Sequence, residues 1–391
     1  MLALLVAIAS VGPMSLNIVM PALPAIAIAL ATDAETVQLT LSLYLVCMAV
    51  SQLIVGPLSD RFGRRPVLIA GLLLTVLASI GALLASTIAG LVIMRALQAL
   101  GASTGIVSSR AIIRDLYERD RAASMIGWVT MVIMVVPMMV PPLGGLLAAT
   151  LGWPAIFACI ALFASAVLVW VSVDLPETLA VPAGGGGFVR FLQDLGQLLT
   201  SRAFICYVLC GATGSALFFA FLGGAPHVVV TLMGRSAFEL GLWFATVSFA
   251  YMLGNYVSAN YSMRFGLDAM VAAGTLVGIV GGIAAVLLVL AFPHGGPVTI
   301  FLPQWITAFA NGLLLPNVIA GAISVRPHAA GTAAGITGFM QMFVGAAAAQ
   351  WVSHLLVPAE TAMPMALIML GAALACGVAN LGLVGLPRPP R

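Results

Sequence analysis

The segment Gly56-Pro57-Leu58-Ser59-Asp60-Arg61-Phe62-Gly63-Arg64-Arg65-Pro66 is a short charged stretch between two long apolar stretches. The first apolar stretch covers about residues 37–58, and the second covers about residues 66–86. An α-helix needs about 20 apolar residues to cross the hydrocarbon core of a bilayer. This part of the sequence therefore predicts two membrane-spanning helices that are joined by a tight polar loop.

The composition indicates that the rest of the chain is built in the same way. Of its 391 residues, 62% are hydrophobic and only 7% are charged, and the mean hydropathy is +1.17. Soluble domains carry about 25% charged residues, so this chain could not cover its surface in water. The sequence predicts an all-α polytopic membrane protein with twelve spanning helices, which we number spans 1 to 12. The spans cover about residues 2–30, 37–58, 66–86, 88–109, 122–149, 153–173, 203–232, 238–262, 267–292, 298–324, 329–356 and 361–386.

The distribution of arginine predicts the orientation in the membrane. All 15 basic residues are arginine, and the formal net charge of +3 gives no indication of a nucleic-acid partner. If both termini lie on one side, only Arg235 falls in a loop on the opposite side. Cytoplasmic loops are enriched in basic residues, so we expect both termini in the cytoplasm. The arginines on that predicted side are Arg61, Arg64, Arg65, Arg114, Arg119, Arg121, Arg190, Arg202, Arg264, Arg326, Arg388 and Arg391.

The longest polar interval divides the chain into two halves of six spans each. We interpret residues 174–202, which contain the glycine run 184–187, as a flexible cytoplasmic linker between residues 1–173 and 203–391. Ser59-Asp60-Arg61-Phe62-Gly63 after span 2 is matched by Ser262-Met263-Arg264-Phe265-Gly266 after span 8. Parallel six-helix repeats are typical of one transporter class, with the substrate near the midplane between the halves. Chance similarity of a five-residue loop is the alternative.

The segment 56–66 resembles the loop 2–3 signature of the major facilitator superfamily. The resemblance implies a fold of two pseudo-symmetric six-helix bundles. It also implies a cytoplasmic latch that stabilises the outward-open state. The residues of this predicted latch are Gly56, Asp60, Arg61, Gly63, Arg64 and Arg65, with Asp115 at the end of span 4 as their partner.

Further motifs resemble those of one branch of this family. The segment 95–101 is similar to the family's span 4 signature. The segment 140–145, with Pro141, Gly144 and Gly145, is similar to the span 5 antiporter signature, although Val140 stands where glycine is usual. Segments 21–24, 114–117, 152–157 and 330–333 resemble the Bcr/CflA drug-resistance branch. That resemblance covers nearly the whole chain, and it implies export of drugs such as bicyclomycin and chloramphenicol in exchange for protons.

Two arginines fall inside span 4, where a charged side chain is costly. Arg95 lies about seven residues from the predicted outer end of the span. We expect it either to face a polar cavity or to bond the backbone carbonyls of a neighbouring helix. Arg110 lies near the cytoplasmic end, where it either reaches the interface or lines the mouth of the cavity.

The acidic residues give no obvious proton carrier. All twelve fall in loops or at predicted helix ends, whereas a proton-coupled exporter usually needs a titratable group within the membrane. The resemblance implies an aspartate in span 1, four residues before Pro21, and this position is Asn17. Three explanations stay open: another group couples transport, coupling is absent, or an aspartate was replaced by design. His227 could titrate near neutral pH, but we favour a structural or interfacial role for it.

Polar and aromatic residues within the apolar spans are the candidates for a substrate cavity. Each could instead join helices by hydrogen bonds, and we expect about half of them to face the cavity. The candidates are Asn17, Tyr44, Arg95, Gln98, Arg110, Asn255, Gln304, Trp305, Asn311, Asn317 and Gln341.

The sequence therefore predicts a monomeric exporter in the bacterial inner membrane, with a small drug and protons as its partners. No nucleotide-binding loop, HExxH motif or cluster of metal ligands occurs, so we expect no cofactor, no metal and no enzymatic activity. The first alternative is a nutrient importer or an uncoupled facilitator of the same fold, against which the span 5 signature argues. A membrane enzyme or sensor is the second, and it would need a catalytic cluster or a soluble domain.

Overall fold

The protein is described by a computed structural model for residues 1–116, 125, 129, 136–179, 187–326 and 329–383. These residues form helices and turns and contain no strand. Within these ranges, eleven helices are long and apolar enough to cross a membrane, and Met139–Thr150 is a shorter apolar helix. Arg119, Arg121, Arg388, Arg391 and the glycines 184–186 of the predicted linker lie outside the described residues, as does most of the first half of span 5.

Each predicted span corresponds to a described helix. Span 1 contains α1 (Leu2–Asn17) and α2 (Leu23–Ala29), and α8 (Gly187–Leu199) falls in the predicted linker. The helices of spans 2 to 6 are α3 (Ala34–Phe62), α4 (Arg64–Leu83), α5 (Ile88–Leu116), α6 (Val136–Thr150) and α7 (Pro154–Asp174). Those of spans 7 to 12 are α9 (Arg202–Pro226), α10 (Ala237–Phe265), α11 (Leu267–Ala291), α12 (Val298–Val325), α13 (Ala330–Leu356) and α14 (Met363–Leu381).

Polar side chains mark the start of two of these helices. Asp33 accepts a hydrogen bond from the Thr36 backbone N–H at 2.6 Å and caps α3. This bond from Thr36 lowers the pKa of the Asp33 carboxyl below its ordinary value. Ser201 caps α9 in the same way through the Phe204 N–H. Such caps satisfy N–H groups that have no partner within the helix.

Span 1 covers Leu2–Ala29, as predicted, but it is interrupted within the membrane-spanning segment. A short 3-10 turn, Met20–Ala22, separates α1 from α2. Pro21 has no N–H with which to continue the helix, and the Ala22 N–H donates to Val19 O one residue out of helical register. Near this break, Ser15 O accepts a hydrogen bond from Arg95 of α5, and Ile18 O lies against Gly144 of α6.

The predicted linker contains a helix rather than only flexible chain. Helix α8 has apolar residues at helical spacing, and Leu198 is fully buried in a core cluster with Phe204 and Tyr207 of α9. The Gln197 side chain also accepts a hydrogen bond from Arg326 at 3.0 Å. An amphipathic helix gains its stability by burying one face, which the glycine run alone did not indicate.

The two loops of the sequence repeat have the same backbone conformation. Gly63, between α3 and α4, has φ +100° and ψ 151°, and Gly266, between α10 and α11, has φ +87° and ψ 158°. Residues with a Cβ rarely adopt positive φ. Both loops therefore require glycine at the same position, which supports the repeat over chance similarity.

The chain divides into two compact units. Unit 1 consists of Met1–Gly187 with Val229–Ser248, and unit 2 consists of Phe188–Val228 with Phe249–Arg391. The predicted halves, 1–173 and 203–391, differ from these units mainly in the segment 229–248. Within unit 1, α4 packs along α5 and α7; within unit 2, α11 packs along α12, and α9 along α13.

Candidate functional site

The charged loop that follows span 2 is organised around Arg64. The Arg64 guanidinium lies 2.5 Å from Asp60 Oδ1 and 3.0 Å from Asp115 Oδ2, and it donates to Ser59 Oγ at 2.7 Å. Arg64 is 5% exposed, so these bonds are shielded more than surface ion pairs are. The structure thus brings together three of the predicted latch residues, at the junction of α3, α4 and α5.

A third acid, Glu177, completes this group from the segment that follows α7. Its carboxylate accepts hydrogen bonds from the backbone N–H groups of Arg64 at 3.0 Å and Arg65 at 3.2 Å, which begin α4. A carboxylate at a helix N-terminus satisfies free N–H groups and interacts favourably with the helix dipole. We call Ser59, Asp60, Arg64, Asp115 and Glu177 the Arg64 cluster.

The ionised form of Glu177 is favoured in this position. Partial burial opposes the charge, but hydrogen bonds from the N–H groups of Leu179, Arg64, Arg65 and Thr178 outweigh it and lower the pKa of Glu177 below its ordinary value. Gly63 is required here for a second reason. A Cβ on Gly63 would lie 2.6 Å from Glu177 Oε2, which is closer than such atoms approach.

The other predicted latch residues lie beside the cluster. Arg65 donates to Ser172 O at 2.7 Å, while its buried Nε has no described partner. The Arg61 guanidinium stands 5.2 Å from the centre of the Phe62 ring. A cavity of about 360 Å³ is lined by Arg61, Phe62 and Arg65 together with Glu177. Gly56 lies in α3, where its carbonyl accepts from Ser59.

Arg95 is buried in unit 1 and joins three spans. Its guanidinium donates to Ser15 O at 3.0 Å and Thr40 O at 3.3 Å, and it also donates to Gln98 Oε1. It stands 4.1 Å from the centre of the Tyr44 ring. Arg95 is 0% exposed. Its bonds to backbone carbonyls correspond to the second of the two roles that the sequence analysis offered for this arginine. A role in a cavity stays a prediction.

Gln98 and Tyr44, two other predicted cavity residues, are hydrogen-bonded beside Arg95. The Gln98 amide donates to Ser79 Oγ at 2.6 Å, and Tyr44 OH donates to Gly12 O at 3.1 Å. Together with Arg95, both side chains are fully buried and bonded. The region therefore has the properties of a rigid polar core that connects spans 1 to 4.

Asn17 lies at the end of α1, just before the break in span 1. Its amide donates to Pro13 O at 2.7 Å, and its side chain is 7% exposed. Pro13 is one turn earlier in the same helix, so this bond is local. The titratable group that the resemblance implied in span 1 is therefore replaced by an amide that bonds its own helix.

The span 5 motif packs on two sides through its glycines. A Cβ on Gly144 would lie 2.0 Å from Ile18 O, at the break in span 1. A Cβ on Gly145 would lie 2.5 Å from Ala237 O, at the start of α10. In return, a Cβ on Gly241 of α10 would lie 2.6 Å from Pro141 O. Glycine permits this close approach of helices, so α6 and the first turns of α10 cross in backbone contact.

The amides of unit 2 fall into two groups. Asn255 donates to Tyr251 O at 2.9 Å, and Asn317 donates to both Ser258 Oγ and Leu313 O at 2.7 Å. Gln304 Nε2, Asn311 Nδ2 and Gln341 Nε2 are buried and have no hydrogen-bond partner among the described residues. Buried polar groups are nearly always paired, so the second group requires an explanation.

Arg110, Trp305 and His227 belong to none of the groups described above. Arg110 is exposed on α5, Trp305 is half-buried on α12, and His227 is half-buried in the π-helical turn that follows α9. No group of three or more His, Cys, Asp or Glu side chains that could hold a metal ion occurs within the described ranges.

Sequence reasoning missed Glu177 and Gly241. Glu177 lies in the predicted linker, 113 residues from Arg64, so no local pattern connected it with the loop 56–66. The one available signal was that Glu177 is an acidic residue shortly after span 6, on the same predicted side of the membrane as the basic loop 56–66. Gly241 had no signal of its own, because close helix contact is not visible in a single sequence.

A family model described as "Major Facilitator Superfamily" matches residues 5–349. The chain is 34% identical over 336 residues to a "Chloramphenicol resistance protein" of Pseudomonas aeruginosa, covering 83% of this chain and 76% of that protein. It is 29% identical over 345 residues to "Multidrug resistance protein D" of Escherichia coli (strain K12), covering 87% of this chain and 85% of that protein.

A solved structure supports the fold. The structure described as "Crystal structure of D-xylose-proton symporter" matches with a TM-score of 0.75 over 96% of this chain and 96% of that one. The sequence identity is 14%, so this similarity concerns the fold alone.

Proposed function

The chain belongs to the Major Facilitator Superfamily, and we propose that it exports small antibiotics of the chloramphenicol or bicyclomycin type as a secondary active transporter. The observation that carries this proposal is the similarity to the Pseudomonas aeruginosa chloramphenicol resistance protein, at 34% identity over 83% of the chain. The predicted fold and the predicted drug-exporter branch are confirmed by the family match and by the names of these relatives.

The protein is an integral membrane protein, as its apolar helices and its transporter relatives indicate. Residence in the bacterial inner membrane with both termini in the cytoplasm is part of the proposal, and the positive-inside rule supports it. A monomer is the proposed oligomeric state.

We assign the Arg64 cluster the role of a conformational latch. Arg64 connects acids at the ends of α3 and α5, and Glu177 connects the start of α4 with the segment after α7. Alternating access requires elements with two discrete arrangements. A compact set of charge-assisted bonds can hold one arrangement and release it when substrate or protons favour the other.

Proton antiport is the proposed mode of coupling, and no titratable acid was found within a span. In the sequence the twelve acids fall in predicted loops or at predicted span ends, and none of those that the structure describes lies in the middle of a membrane-spanning helix. Coupling would then use a group other than the amide of Asn17, and uncoupled facilitation is the competing possibility. The first discriminating measurement is whether a pH gradient drives uptake of drug into inverted vesicles.

Expression in a drug-sensitive bacterium tests the proposal. We expect the minimum inhibitory concentration of chloramphenicol or bicyclomycin to rise at least fourfold over that of the empty vector. Immunodetection in membranes would verify that the protein is present. A panel of antibiotics in which no resistance rises, despite normal amounts of protein, would contradict export. Counterflow of sugars or organic acids in liposomes would instead support an importer of the same fold.

A further inference from the structure

Three amides of unit 2 keep an N–H donor in the interior that has no acceptor within the described part of the chain. The donors are Gln304 Nε2, Asn311 Nδ2 and Gln341 Nε2. Gln304 is 0% exposed and Asn311 is 3% exposed, whereas Gln341 is half-buried. A buried donor that has lost water and gained no partner destabilises a protein. A group that binds during function is one way in which such a donor is satisfied.

Gln304 and Asn311 share one face of α12. They are seven residues apart, which is about two helical turns. Thr307 lies between them and donates to Gln304 Oε1 at 2.9 Å. The carbonyl end of this amide is therefore occupied, whereas its NH₂ end bonds to none of the residues that the structure describes.

Asn311 and Gln341 both lie against the same turn of α9. A Cβ on Gly214 would be 3.3 Å from Asn311 Oδ1, and a Cβ on Gly211 would be 3.0 Å from Gln341 Nε2. Because Gly211 and Gly214 are three residues apart, they are neighbours on the helix surface. The absence of side chains at these two positions lets amides from α12 and α13 come together beside α9.

The lack of acidic side chains around these amides favours neutral ligands over cationic ones. The amides offer donors, and no Asp or Glu lies within the parts of α9, α12 and α13 that surround them. A neutral molecule with oxygen acceptors can pair with the free donors. A lipophilic cation would supply no acceptor and would find no carboxylate to balance its charge.

We propose that Gln304, Asn311 and Gln341 form a substrate-recognition site of unit 2 that selects neutral molecules carrying carbonyl, hydroxyl or nitro oxygens over lipophilic cations. This rests on the proposed export function and adds the residues and the ligand class. A site with free donors discriminates strongly against an analogue that cannot accept hydrogen bonds, because such an analogue leaves the donors unpaired.

Equilibrium binding to the purified full chain tests the site. The ligands are chloramphenicol, which is neutral and carries nitro, amide and hydroxyl oxygens, and tetraphenylphosphonium, which is a cation without acceptors. We expect the wild type to prefer chloramphenicol, and Asn311→Leu and Gln341→Leu each to weaken its binding about tenfold. The nearly isosteric Asn311→Asp should lose chloramphenicol and gain tetraphenylphosphonium.

Asn317→Leu is the matched control. Asn317 is on the same helix and is equally buried, but its amide is already bonded to Ser258 and Leu313. We expect this variant to melt at a lower temperature and to keep the wild-type preference between the two ligands. Asn311→Leu removes an unpaired donor, so its ligand-free melting temperature should stay equal or rise. A side chain with only a structural role would give the opposite pattern.

The outcomes distinguish a failure of the amide site from a failure of the proposed export function. If the wild type binds chloramphenicol and the Asn311 and Gln341 variants bind it equally well, the amide site is refuted while export stands. If the folded wild type binds neither ligand and gives no resistance to any drug tested, the proposed export function fails and the site fails with it.

Discussion

At the scale of single residues, Asn17 is the position at which we expect a substitution to change proton coupling. Its amide donates to Pro13 O at 2.7 Å, close to the break in span 1. In Asn17→Asp, a protonated carboxyl could keep that bond, whereas an ionised carboxylate would face the carbonyl oxygen without a proton between them. We expect this variant to make drug uptake into inverted vesicles depend at least fivefold more on the pH gradient. Radiolabelled drug uptake with and without an uncoupler measures the effect.

Asn255→Asp is the control for this substitution. Asn255 makes the same kind of bond, to the Tyr251 carbonyl four residues earlier, but on α10. The control should leave the pH dependence unchanged. If both variants respond to the gradient as the wild type does, residue 17 is not a position from which coupling can be controlled.

Glu177 is the residue whose charge should set the acid stability of unit 1. It caps the first two N–H groups of α4, so Glu177→Ala should lower the free energy of unfolding by about 1 kcal/mol. The melting temperature in detergent should fall by about 2 °C. The exposed loop acid Glu360 provides the control, since Glu360→Ala should change the melting temperature by less than 1 °C.

The contribution of Glu177 also has a defined pH dependence. Its folded-state pKa lies below the ordinary value of 4.5. The stabilisation is therefore complete above about pH 4.5 and is lost as the pH falls through the folded-state pKa. The difference in melting temperature between wild type and Glu177→Ala should be constant from pH 6 to 8 and shrink below pH 4.5. A difference that grows on acidification would contradict the assigned role.

At the scale of elements, the crossing of α6 with α10 depends on two glycines. A Cβ on Gly145 would lie 2.5 Å from Ala237 O and 2.8 Å from Phe238 Cα. These are backbone atoms, which cannot rotate away as a side chain would. Gly145→Ala and Gly241→Ala should therefore each cost about 1–3 kcal/mol by overpacking. Thermal melting of the purified variants measures this cost.

Gly371→Ala is the matched substitution on α14. Nothing lies within 4 Å of a Cβ at this position, so alanine should be neutral or stabilise the helix by up to about 1 kcal/mol. Equal melting temperatures for Gly145→Ala, Gly241→Ala and Gly371→Ala would show that the crossing has room for a methyl group. The span 5 motif would then need another explanation than close packing.

At the scale of the whole molecule, local composition predicted the helices better than it predicted their interruptions. Long apolar runs such as that of α3 need no distant partner to be read as spans. The break after Asn17 followed from Pro21, but the sequence did not show whether the chain would bend there or continue. Helix α8 was missed because its stability depends on burying Leu198 against α9, which is a tertiary contact.

The candidate site also combines features that the local sequence predicted with features that depend on tertiary contacts. The sequence identified Arg64, Asp60 and Asp115 through a known motif, and the structure places them in bonding distance. It also identified the amides of unit 2 as candidates, but it could not tell Asn317, whose Nδ2 is bonded, from Asn311, whose Nδ2 has no partner among the residues described. Both are asparagines on one apolar helix, and only the neighbouring helices distinguish them.

The sequence by itself determined that this protein is helical, embedded in a membrane and composed of repeated groups of spans, because these properties follow from hydropathy and local motifs. Only the tertiary structure decided that Glu177 caps α4, that Gly145 and Gly241 bring two helices into backbone contact, and which amides lack a partner. The physical reason is that hydrogen bonds and close packing join residues far apart in the chain. Their existence depends on geometry that no single segment contains.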